Sequence, residues 1–477
     1  MPLVYIAGDA WATESSVELH APWDGASLGS VGQADLELAR RAVGLAVDAL
    51  PRAARLPSHL RRDFLRAISQ GITARAETLS RTIATEAGKP ITFARAEVAR
   101  AALTFSLGAE EATRLGGEVM DLDHLASTEG AVVMTRRVPA GVVVAITPFN
   151  FPLNLVAHKL APAFAAGAPV VLKPAPQTPL TALALAAIVR EACDATGAPK
   201  AMLSVLPCAV EVAEALVTDP RPAVVSFTGS AAVGWSLRAK APRKRVLLEL
   251  GGNAAAIVCA DADVDRALDR IVSGAYGYAG QVCVKVQRVL VHEHLSKRFT
   301  EALAERTAAT PVGAPHDEST VCGPMIDERA ALRVRAWLDE AQADGAELLA
   351  GGAREGNRLT PTLVRHARAG QKIVDEEVFG PVLTVQPFSD LDEALGDVNS
   401  GRYGLQTGLF TRDLENISRA YRGLEVGAVI VDDAPTFRAD AMPYGGVKDS
   451  GAGREGVRFA LEDMTERRAL VLRRFGP

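Results

Sequence analysis

The chain has 477 residues, of which 48% are apolar and 23% are charged, so it is long enough for about three domains that bury large cores. Its 52 Lys and Arg residues against 57 Asp and Glu residues give a formal net charge of −5 at pH 7, without the basic excess that a nucleic-acid binder needs. The composition excludes a single small module and predicts no nucleic-acid partner.

The cysteines and the apolar segments indicate where the protein works. Five cysteines without a CxxC pair favour free thiols in a reducing compartment, and no spacing typical of a metal site is present. The first residues lack a secretory pattern. Residues 151–172 form the most apolar stretch, but His158, Lys159 and two prolines interrupt it, so no membrane span is predicted. The expected location is the cytoplasm.

The predicted elements begin with a helical region over residues 39–115. Short β-branched runs then predict strands buried on both faces at 142–146, 169–173, 202–206, 223–227 and 245–250. Helical segments at 179–194 and 209–216 separate some of these runs, and this alternation predicts a doubly wound parallel sheet.

A second α/β region follows, and a small flap completes the prediction. The second region has predicted helices at 263–278 and 295–308 and strands at 287–291, near 382–387 and near 427–431. Two β-like pieces, 130–135 and 468–472, lie outside both regions. We expect them to pair into a flap whose exposed edges are open to a partner chain.

Cys283 is a candidate nucleophile. It lies in a Gly-Gln-Val-Cys turn between a predicted helix and a predicted strand. A small buried hydrophobic side chain is the commoner role of a single cysteine. However, glycines at 274, 277 and 280 leave room for a ligand near the main chain, and a reactive thiolate needs such access. Both interpretations stay open on this residue alone.

Two further polar residues lie at predicted strand ends. Glu249 ends an apolar strand before Gly251-Gly252, where it is either a salt-bridged residue or a base whose pKa the apolar setting raises. Asn150 follows the first buried strand, where ligands of open α/β sheets bind. Its carboxamide either forms a turn before Pro152 or stabilises an oxyanion.

The strand ends also predict a phosphate-binding region. Lys173 ends one strand, and the segment 227–234 joins another strand to a helix through a glycine and hydroxyl side chains. A helix N-terminus and a nearby lysine suit a phosphate or a ribose. The sequence has neither the G-x-G-x-x-G fingerprint after the first strand nor a Walker loop. Alone, these signals do not identify a cofactor.

Several short motifs occur in one order along the chain: Pro-Phe-Asn-Phe-Pro at 148–152, Lys-Pro-Ala at 173–175, Phe-Thr-Gly-Ser at 227–230, Glu-Leu-Gly-Gly-Asn at 249–253, Gly-Gln-Val-Cys at 280–283, Glu-Glu-Val-Phe-Gly-Pro at 376–381 and Pro-Tyr-Gly-Gly-Val-Lys at 443–448. From Glu86 to Gly451 the chain resembles the NAD(P)-dependent aldehyde dehydrogenase superfamily, with members that act on lactaldehyde and succinate semialdehyde as the nearest likeness.

The resemblance implies an α/β fold with two doubly wound parallel-sheet domains and a small β oligomerisation flap. Residues 1–117 and 139–250 would form the dinucleotide-binding domain, 251–455 the catalytic domain, and 118–138 with 456–477 the flap. Members of the family are usually homodimers or homotetramers in which the flap strands extend a partner's sheet, and we expect the same here.

The resemblance also implies roles for individual residues. Cys283 would attack the aldehyde, the Asn150 carboxamide and the Cys283 main-chain N–H would hold the oxyanion, and Glu249 would activate the hydrolytic water. In this pattern Lys173 binds the adenosine ribose, Glu377 binds the nicotinamide ribose and Phe379 packs near the nicotinamide ring. The implied cofactor residues are Thr147, Pro148, Lys173, Pro176, Phe227, Thr228, Gly229, Ser230, Val233, Leu250, Glu377 and Phe379.

The sequence predicts the coenzyme and the substrate as classes and does not single out one compound. Where many NAD-preferring members carry a glutamate three residues after the cofactor lysine, this chain has Pro176, so NADP or NAD is expected, with NADP slightly favoured. The expected substrate is a small polar or anionic aldehyde bordered by Phe151. Arg438 and Arg100 would bind its anionic end, although a salt bridge is the alternative for each arginine.

Three other functions compete with hydrolytic aldehyde oxidation. A CoA-acylating dehydrogenase would pass the thioester to CoA, and the carboxylate at 249 argues against it. A cysteine hydrolase would pair Cys283 with a histidine, for which only His158 is a candidate. A catalytically idle relative would need neither Cys283 nor Glu249 nor Asn150, and this chain has all three.

Overall fold

The computed structural model of the protein describes residues 3–474. Its helices are Leu36–Ala54, Ser58–Ala74, Ala76–Ala87, Ile91–Arg114, Asn154–Ala166, Pro179–Thr196, Val210–Thr218, Ala231–Lys240, Val264–Tyr276, Glu293–Ala308, Glu328–Ala343, Lys372–Asp375, Leu391–Ser400, Leu414–Gly423 and Val457–Asp463, with short 3₁₀ turns at Ala126–Thr128, Lys200–Met202 and Gly277–Gly280. The predicted helical region over 39–115 is thus four consecutive helices, the first of which begins after an Asp35 side-chain cap.

The first sheet has eight strands, in the spatial order Asp9–Ala12, Leu3–Ile6, Leu203–Val205, Val170–Lys173, Val143–Ile146, Val224–Thr228, Arg245–Glu249 and Gly451–Ala452. The five middle strands run parallel, and the outer ones pair antiparallel. Alternate residues of one strand enter two different cores, Val143 one and Val144 the other, so helices cover both faces. The doubly wound parallel sheet predicted from the sequence is confirmed.

The second sheet has seven strands, in the order Glu347–Ala350, Thr362–Arg365, Val382–Phe388, Val286–His292, Ala254–Val258, Gln406–Phe410 and Ala428–Val431. All neighbours are parallel except the first pair. The sequence analysis did not identify four of these strands, at 254–258, 347–350, 362–365 and 406–410. The reason is local composition. Ala254–Val258 is alanine-rich, and Gln406–Phe410 contains Gly408, where a Cβ would lie 2.7 Å from the Asp433 carbonyl oxygen. Neither alanine nor glycine is typical of a strand.

A three-stranded antiparallel flap lies outside the two large sheets. Val132–Pro139 runs between Thr465–Leu472 and Val119–Asp121, with Leu470 paired to Met134, so the predicted pairing of two distant segments is confirmed. Smaller two-stranded sheets pair Ser15–His20 with Ser27–Gln33, Arg354–Glu355 with Arg358–Leu359, and Tyr403–Gly404 with Val447–Lys448.

The C-terminal part of the chain returns to the first sheet. The strand Gly451–Ala452 pairs with Arg245–Glu249, and the helix Val457–Asp463 buries Val457 and Leu461 in the first sheet's core. Residues on both sides of the predicted boundary at 455 therefore pack with the first sheet. The predicted domain division otherwise stays a prediction.

The two large sheets meet end to end at a cavity. Thr228 and Glu249 lie at the carboxyl ends of paired strands in the first sheet. Cys283 and Glu377 precede strands Val286–His292 and Val382–Phe388 of the second sheet. Side chains from both sets of strand ends line one cavity of about 620 Å³. The fold therefore brings residues that are distant in sequence to a crevice where open α/β sheets bind ligands.

Candidate active site

A strained turn presents Cys283. Tyr278, Ala279 and Gly280 have φ values of +55°, +52° and +65°, and a Cβ at Gly280 would lie 2.4 Å from the Gly380 carbonyl oxygen. The buried Gln281 side chain holds the turn by accepting from the Ile326 N–H at 2.8 Å and donating to the Pro324 carbonyl at 3.2 Å. Three successive left-handed residues persist only where the surroundings hold them, and such strain is frequent at functional sites.

Cys283 is the one half-buried cysteine of the five, and the other four are buried. Its Sγ lies 3.0 Å from the Tyr444 hydroxyl oxygen. Burial raises the pKa of the Cys283 thiol to about 11, although the Tyr444 hydrogen bond and the Arg438 charge act in the opposite direction. Its access to the cavity makes Cys283 the cysteine that a ligand can reach.

The Asn150 carboxamide lies on the same cavity wall as Cys283. Its Nδ2 donates to the Gln281 carbonyl oxygen at 2.9 Å, and its buried Oδ1 has no hydrogen-bond partner. Since a carboxamide nitrogen carries two hydrogens, one N–H orients the side chain and the second stays available. The arrangement provides a fixed donor on the cavity wall that also carries the thiol.

Glu249 is buried behind this wall and does not line the cavity. Its Oε2 has no hydrogen-bond partner, and a Cβ at Gly445 would lie 2.7 Å from Oε1. Burial raises the pKa of Glu249 well above its usual range, and the nearby Glu455 charge adds to that increase. Its own charge contributes to raising the Cys283 pKa, so the two groups interact electrostatically.

We call the 620 Å³ cavity the cleft. Predicted residues that line it are Pro148, Asn150, Thr228, Gly229, Ser230, Leu250, Cys283, Glu377 and Phe379. Predicted residues that do not line it are Thr147, Phe151, Lys173, Pro176, Phe227, Val233, Glu249, Arg100 and Arg438. The sequence analysis missed Gln177, Arg329 and Arg333 on the cleft wall, since no motif singled them out.

One end of the cleft suits a phosphate-containing ligand. Ser230 precedes the helix Ala231–Lys240, whose N-terminal N–H groups favour anions. A Cβ at Gly229 would lie 2.5 Å from the Phe227 ring, so only glycine fits there. Lys173 is buried at a neighbouring strand end, and no hydrogen bond or ion pair joins its ammonium group to the rest of residues 3–474. Burial lowers the pKa of Lys173.

Pro176 borders a different cavity. It is exposed, and with Gln177, Glu86 and His20 it lines a smaller cavity of about 260 Å³. No carboxylate stands at position 176, as the sequence shows.

The other end of the cleft contains Glu377 and Phe379. Glu377 accepts from the Gly252 N–H at 3.1 Å, and burial raises the pKa of its carboxyl to about 7. Phe379 has a φ of +45°, uncommon for a bulky residue, and its ring meets Phe149 edge to face at 6.0 Å. A strained aromatic wall and a carboxyl beside glycines fit the ribose and the flat ring of a nicotinamide coenzyme.

A charged cluster, largely buried apart from the half-buried Arg100, lies beside Tyr444, and none of its residues lines the cleft. It consists of Arg100, His158, Lys159, Arg438, Asp440 and Glu455. Lys159 Nζ donates to Thr228 Oγ1 at 2.7 Å and lies 3.4 Å from Glu455 Oε1, and Arg438 donates to Glu455 Oε2 at 2.8 Å. Although burial opposes it, the charges of Lys159 and Arg438 lower the pKa of Glu455 to about 2.

Arg100 and His158 belong to the same cluster through Asp440. Arg100 donates to Asp440 through Nε at 3.0 Å and Nη2 at 2.8 Å, and His158 Nε2 lies 2.8 Å from Asp440 Oδ1. The salt-bridge alternative considered for both arginines is therefore present in the structure. His158 contacts Asp440 and not Cys283, so the cysteine-hydrolase alternative has no observation in its favour.

Phe151 packs away from the cleft. Its ring lies beneath Lys89, whose Nζ is 3.7 Å from the ring centroid, and Lys89 forms a buried ion pair with Glu97. The structure thus gives Phe151 a packing role at this position.

Sequence reasoning missed Lys159, Glu455 and Tyr444 as site residues. A signal existed for Lys159, because a lysine in the apolar helix Asn154–Ala166 has to find a buried partner. Tyr444 lies in a quoted motif, but nothing in that motif shows that its hydroxyl reaches Cys283.

Over 3–474, no group of three or more His, Cys, Asp or Glu side chains is placed to hold a metal ion. Within the same range, no helix is long and apolar enough to cross a membrane.

A model of the aldehyde dehydrogenase family matches residues 11–470. The chain therefore belongs to the aldehyde dehydrogenase family, which confirms the predicted class of enzyme. It is 42% identical over 470 residues to the 3-sulfolactaldehyde dehydrogenase of Priestia aryabhattai, covering 98% of this chain and 97% of that protein.

Two solved structures are similar over nearly their whole length. Aldehyde dehydrogenase 21 from Physcomitrella patens, in complex with the reaction product succinate, has a TM-score of 0.97 and 38% identity, covering 100% of this chain and 98% of that chain. Glyceraldehyde-3-phosphate dehydrogenase from Methanocaldococcus jannaschii, complexed with NADP, has a TM-score of 0.92 and 34% identity, covering 96% and 99%.

Proposed function

We propose that the protein oxidises a small anionic aldehyde to its carboxylic acid with NADP or NAD, through a covalent thioester on Cys283. The observation that carries the proposal is the convergence on one cysteine: Cys283 alone is half-buried, the Asn150 carboxamide shares its wall, and Glu249 is buried nearby with a free oxygen.

The chain's own residues account for capture of the aldehyde. The Cys283 thiolate forms a bond to the carbonyl carbon, and the carbonyl oxygen becomes an oxyanion. The second Asn150 N–H and the Cys283 main-chain N–H stabilise that charge. When bound, the oxidised nicotinamide supplies the acceptor for a hydride, so that the thiohemiacetal is oxidised to a thioester.

Hydrolysis then regenerates the thiol. Glu249 takes a proton from water, the resulting hydroxide attacks the thioester carbon, and the carbon–sulfur bond breaks to release the acid and the Cys283 thiolate. Because its raised pKa keeps Glu249 protonated until the pH is well above the usual carboxyl range, we expect this step to speed up as the pH rises.

The coenzyme is proposed as NADP or NAD, with NADP favoured. Lys173 has a buried ammonium group without an acidic partner, and position 176 has no carboxylate that would repel a 2′-phosphate. The Methanocaldococcus jannaschii relative is complexed with NADP. Glu377 would accept from the nicotinamide ribose, and Phe379 would pack against the ring.

The anionic end of the substrate is proposed to bind Arg438. Its buried Nε has no hydrogen-bond partner, and only Nη2 is used by Glu455. The Arg100 side chain is 29% exposed, but Asp440 already accepts from its Nε and Nη2. The names of the relatives include a sulfonate, a carboxylate and a phosphate compound, all of which carry an anion.

The test is a panel of aldehydes assayed with both coenzymes, with and without CoA. We expect acid as the product, no requirement for CoA, and a higher kcat/KM for succinate semialdehyde than for propanal. Thioester release that depends on CoA, or the absence of coenzyme reduction with every aldehyde, would overturn the proposal.

Arg438→Ala tests the substrate class directly. Removing a charge-assisted contact should raise KM for succinate semialdehyde about tenfold or more, and KM for propanal much less. Arg335→Ala is the matched control, since Arg335 does not line the cleft and pairs with Asp339 one turn further along its own helix. Equal effects of Arg438→Ala on both aldehydes would remove Arg438 from the substrate site.

The flap is proposed to join copies of the chain into a homodimer or homotetramer. Val119, Leu470 and Val471 expose 72%, 57% and 50% of their surface on the strands of this small sheet. Light scattering after size exclusion measures the state, and a monomer at micromolar concentration would contradict the proposal.

A further inference from the structure

The Tyr444 hydroxyl is the closest polar group that the structure gives to the Cys283 sulfur. The two atoms lie 3.0 Å apart, Tyr444 is only 3% exposed, and within residues 3–474 its phenol makes no other hydrogen bond. A buried phenol normally finds a hydrogen-bond partner, and here that partner is the sulfur.

Buried charges hold the Tyr444 ring in place. The Tyr444 and Glu455 main chains exchange two hydrogen bonds, at 3.1 and 2.6 Å. The Arg438 guanidinium carbon lies 3.8 Å from the centre of the ring, and Arg438 is in turn bound to Glu455. Lys159 contacts Glu455 from the other side. The phenol is therefore fixed in front of the sulfur by residues that do not reach the cleft.

The hydrogen bond between these groups changes when the thiol ionises. In the neutral form either the phenol or the thiol can donate, whereas a thiolate can only accept. Hydrogen bonds to a charged acceptor are about twice as strong as those between neutral groups. Arg438 over the ring face withdraws electron density, which makes the phenol a better donor. Burial keeps the pKa of Tyr444 well above its usual range, so the proton stays on the phenol.

We infer that Tyr444 is a positioning residue for the nucleophile: its phenol donates a hydrogen bond to the Cys283 thiolate, orients the sulfur and increases the fraction of thiolate at a given pH. The inference rests on the proposed function, in which Cys283 attacks the aldehyde. The role belongs to the Tyr444 hydroxyl oxygen, which a phenylalanine at position 444 would lack.

The other groups that face the thiol act through charge. Glu249 from the end of the strand Arg245–Glu249 and Glu377 from the loop before Val382–Phe388 raise the pKa of Cys283, and Arg438 lowers it. The Tyr444 hydrogen bond favours the thiolate without adding a charge to the site. Removing it should therefore shift the thiol titration upward and leave the neighbouring charges in place.

The experiment is Tyr444→Phe in the full chain, with the rate of alkylation by iodoacetamide measured against pH in the absence of substrate. We expect the alkylation midpoint to move to higher pH and the rate at a fixed pH below it to fall by about three- to tenfold. The matched control is Tyr276→Phe, which deletes the same atom from a buried tyrosine that bonds Thr307, and which should leave the profile unchanged.

A second variant keeps the ring volume and the hydroxyl. With 3-fluorotyrosine at 444 the phenol is a stronger donor, so the alkylation midpoint should move to lower pH. A midpoint that is unchanged in both variants, or a shift in Tyr276→Phe as large as in Tyr444→Phe, would overturn the inference. Kinetics add a separate check: kcat/KM should fall by the same factor for succinate semialdehyde and propanal.

The alkylation assay distinguishes this inference from the proposed function. It measures the thiol without any aldehyde or coenzyme, so a protein that oxidises no aldehyde can still show the shift, and an active dehydrogenase can still lack it.

Discussion

The cleft and the charged cluster differ in how far their polar groups are paired, although Arg438 Nε and His158 Nδ1 of the cluster also lack hydrogen-bond partners. The Asn150 Oδ1 on the cleft wall lacks a hydrogen-bond partner, and within residues 3–474 no hydrogen bond or ion pair joins the Lys173 ammonium group to another residue. In the cluster, Lys159, Arg438 and Glu455 are joined by direct contacts. Buried polar groups without partners are costly, and at Asn150 and Lys173 this supports the proposal that a ligand binds there.

The ion pairs of the cluster stabilise one arrangement of the residues around them. Breaking a buried ion pair leaves an uncompensated charge, so the pairs hold the main chain and side chains around them in one arrangement. That arrangement places Tyr444 against the sulfur and Glu249 beside Glu455. In the proposed function, open groups such as Asn150 and the Arg438 Nε bind the ligand, and the ion pairs of the cluster position the reacting residues.

Among the variants considered, Glu455→Gln should have the largest effect, which is a loss of stability. Lys159 and Arg438 would keep their charges in a buried site without the carboxylate, which costs about 3–5 kcal/mol of unfolding free energy. Urea unfolding followed by fluorescence measures the loss. Glu318→Gln is the control, because it removes an exposed partner of Arg95 and should leave the midpoint close to that of the wild type. Equal midpoints for both variants would show that the cluster does not stabilise the fold.

Glu377→Gln should change the KM for the coenzyme and leave the free energy of unfolding nearly unchanged. Burial raises the pKa of Glu377 to about 7, so the carboxyl is protonated below that pH and charged above it. A ribose hydroxyl donates more strongly to the charged form, so the coenzyme KM of the wild type should fall by about three- to tenfold from pH 6 to pH 8. The variant should show a level profile.

Lys285 is a second group that can titrate in the same pH range as Glu377. Burial lowers its pKa to about 7, and it interacts with Glu377. A slope that persists in Glu377→Gln would assign the titration to Lys285 and contradict the role proposed for Glu377.

Pro176→Glu should have the smallest effect, because residue 176 borders the neighbouring smaller cavity and does not line the cleft. Position 176 is exposed, so the substitution is tolerated, and the new carboxylate should repel a 2′-phosphate. We expect KM for NADP to rise by about three- to tenfold and KM for NAD to change by less than about twofold. Steady-state kinetics with both coenzymes measure it, and equal changes would show that residue 176 does not face the 2′ position.

Much of the first sheet could be predicted from the sequence, because its five parallel strands are apolar runs that report burial on both faces. The motifs around Asn150, Glu249 and Cys283 also marked residues that the structure brings near one another. Strands such as Ala254–Val258 and Gly451–Ala452 could not be predicted, because their composition does not differ from that of a helix or a loop.

The sequence by itself determined the alternation of strands and helices, the free cysteines and the family, since these depend on local pattern and ordered motifs. The tertiary structure alone decided that Arg438 binds Glu455, that Arg100 binds Asp440, and that the Tyr444 hydroxyl meets Cys283. These contacts join residues that are from 17 positions apart in the sequence, for Arg438 and Glu455, to 340 positions apart, for Arg100 and Asp440. Only the packing of the helix Asn154–Ala166 against the returning C-terminal segment selects which buried charges share a site.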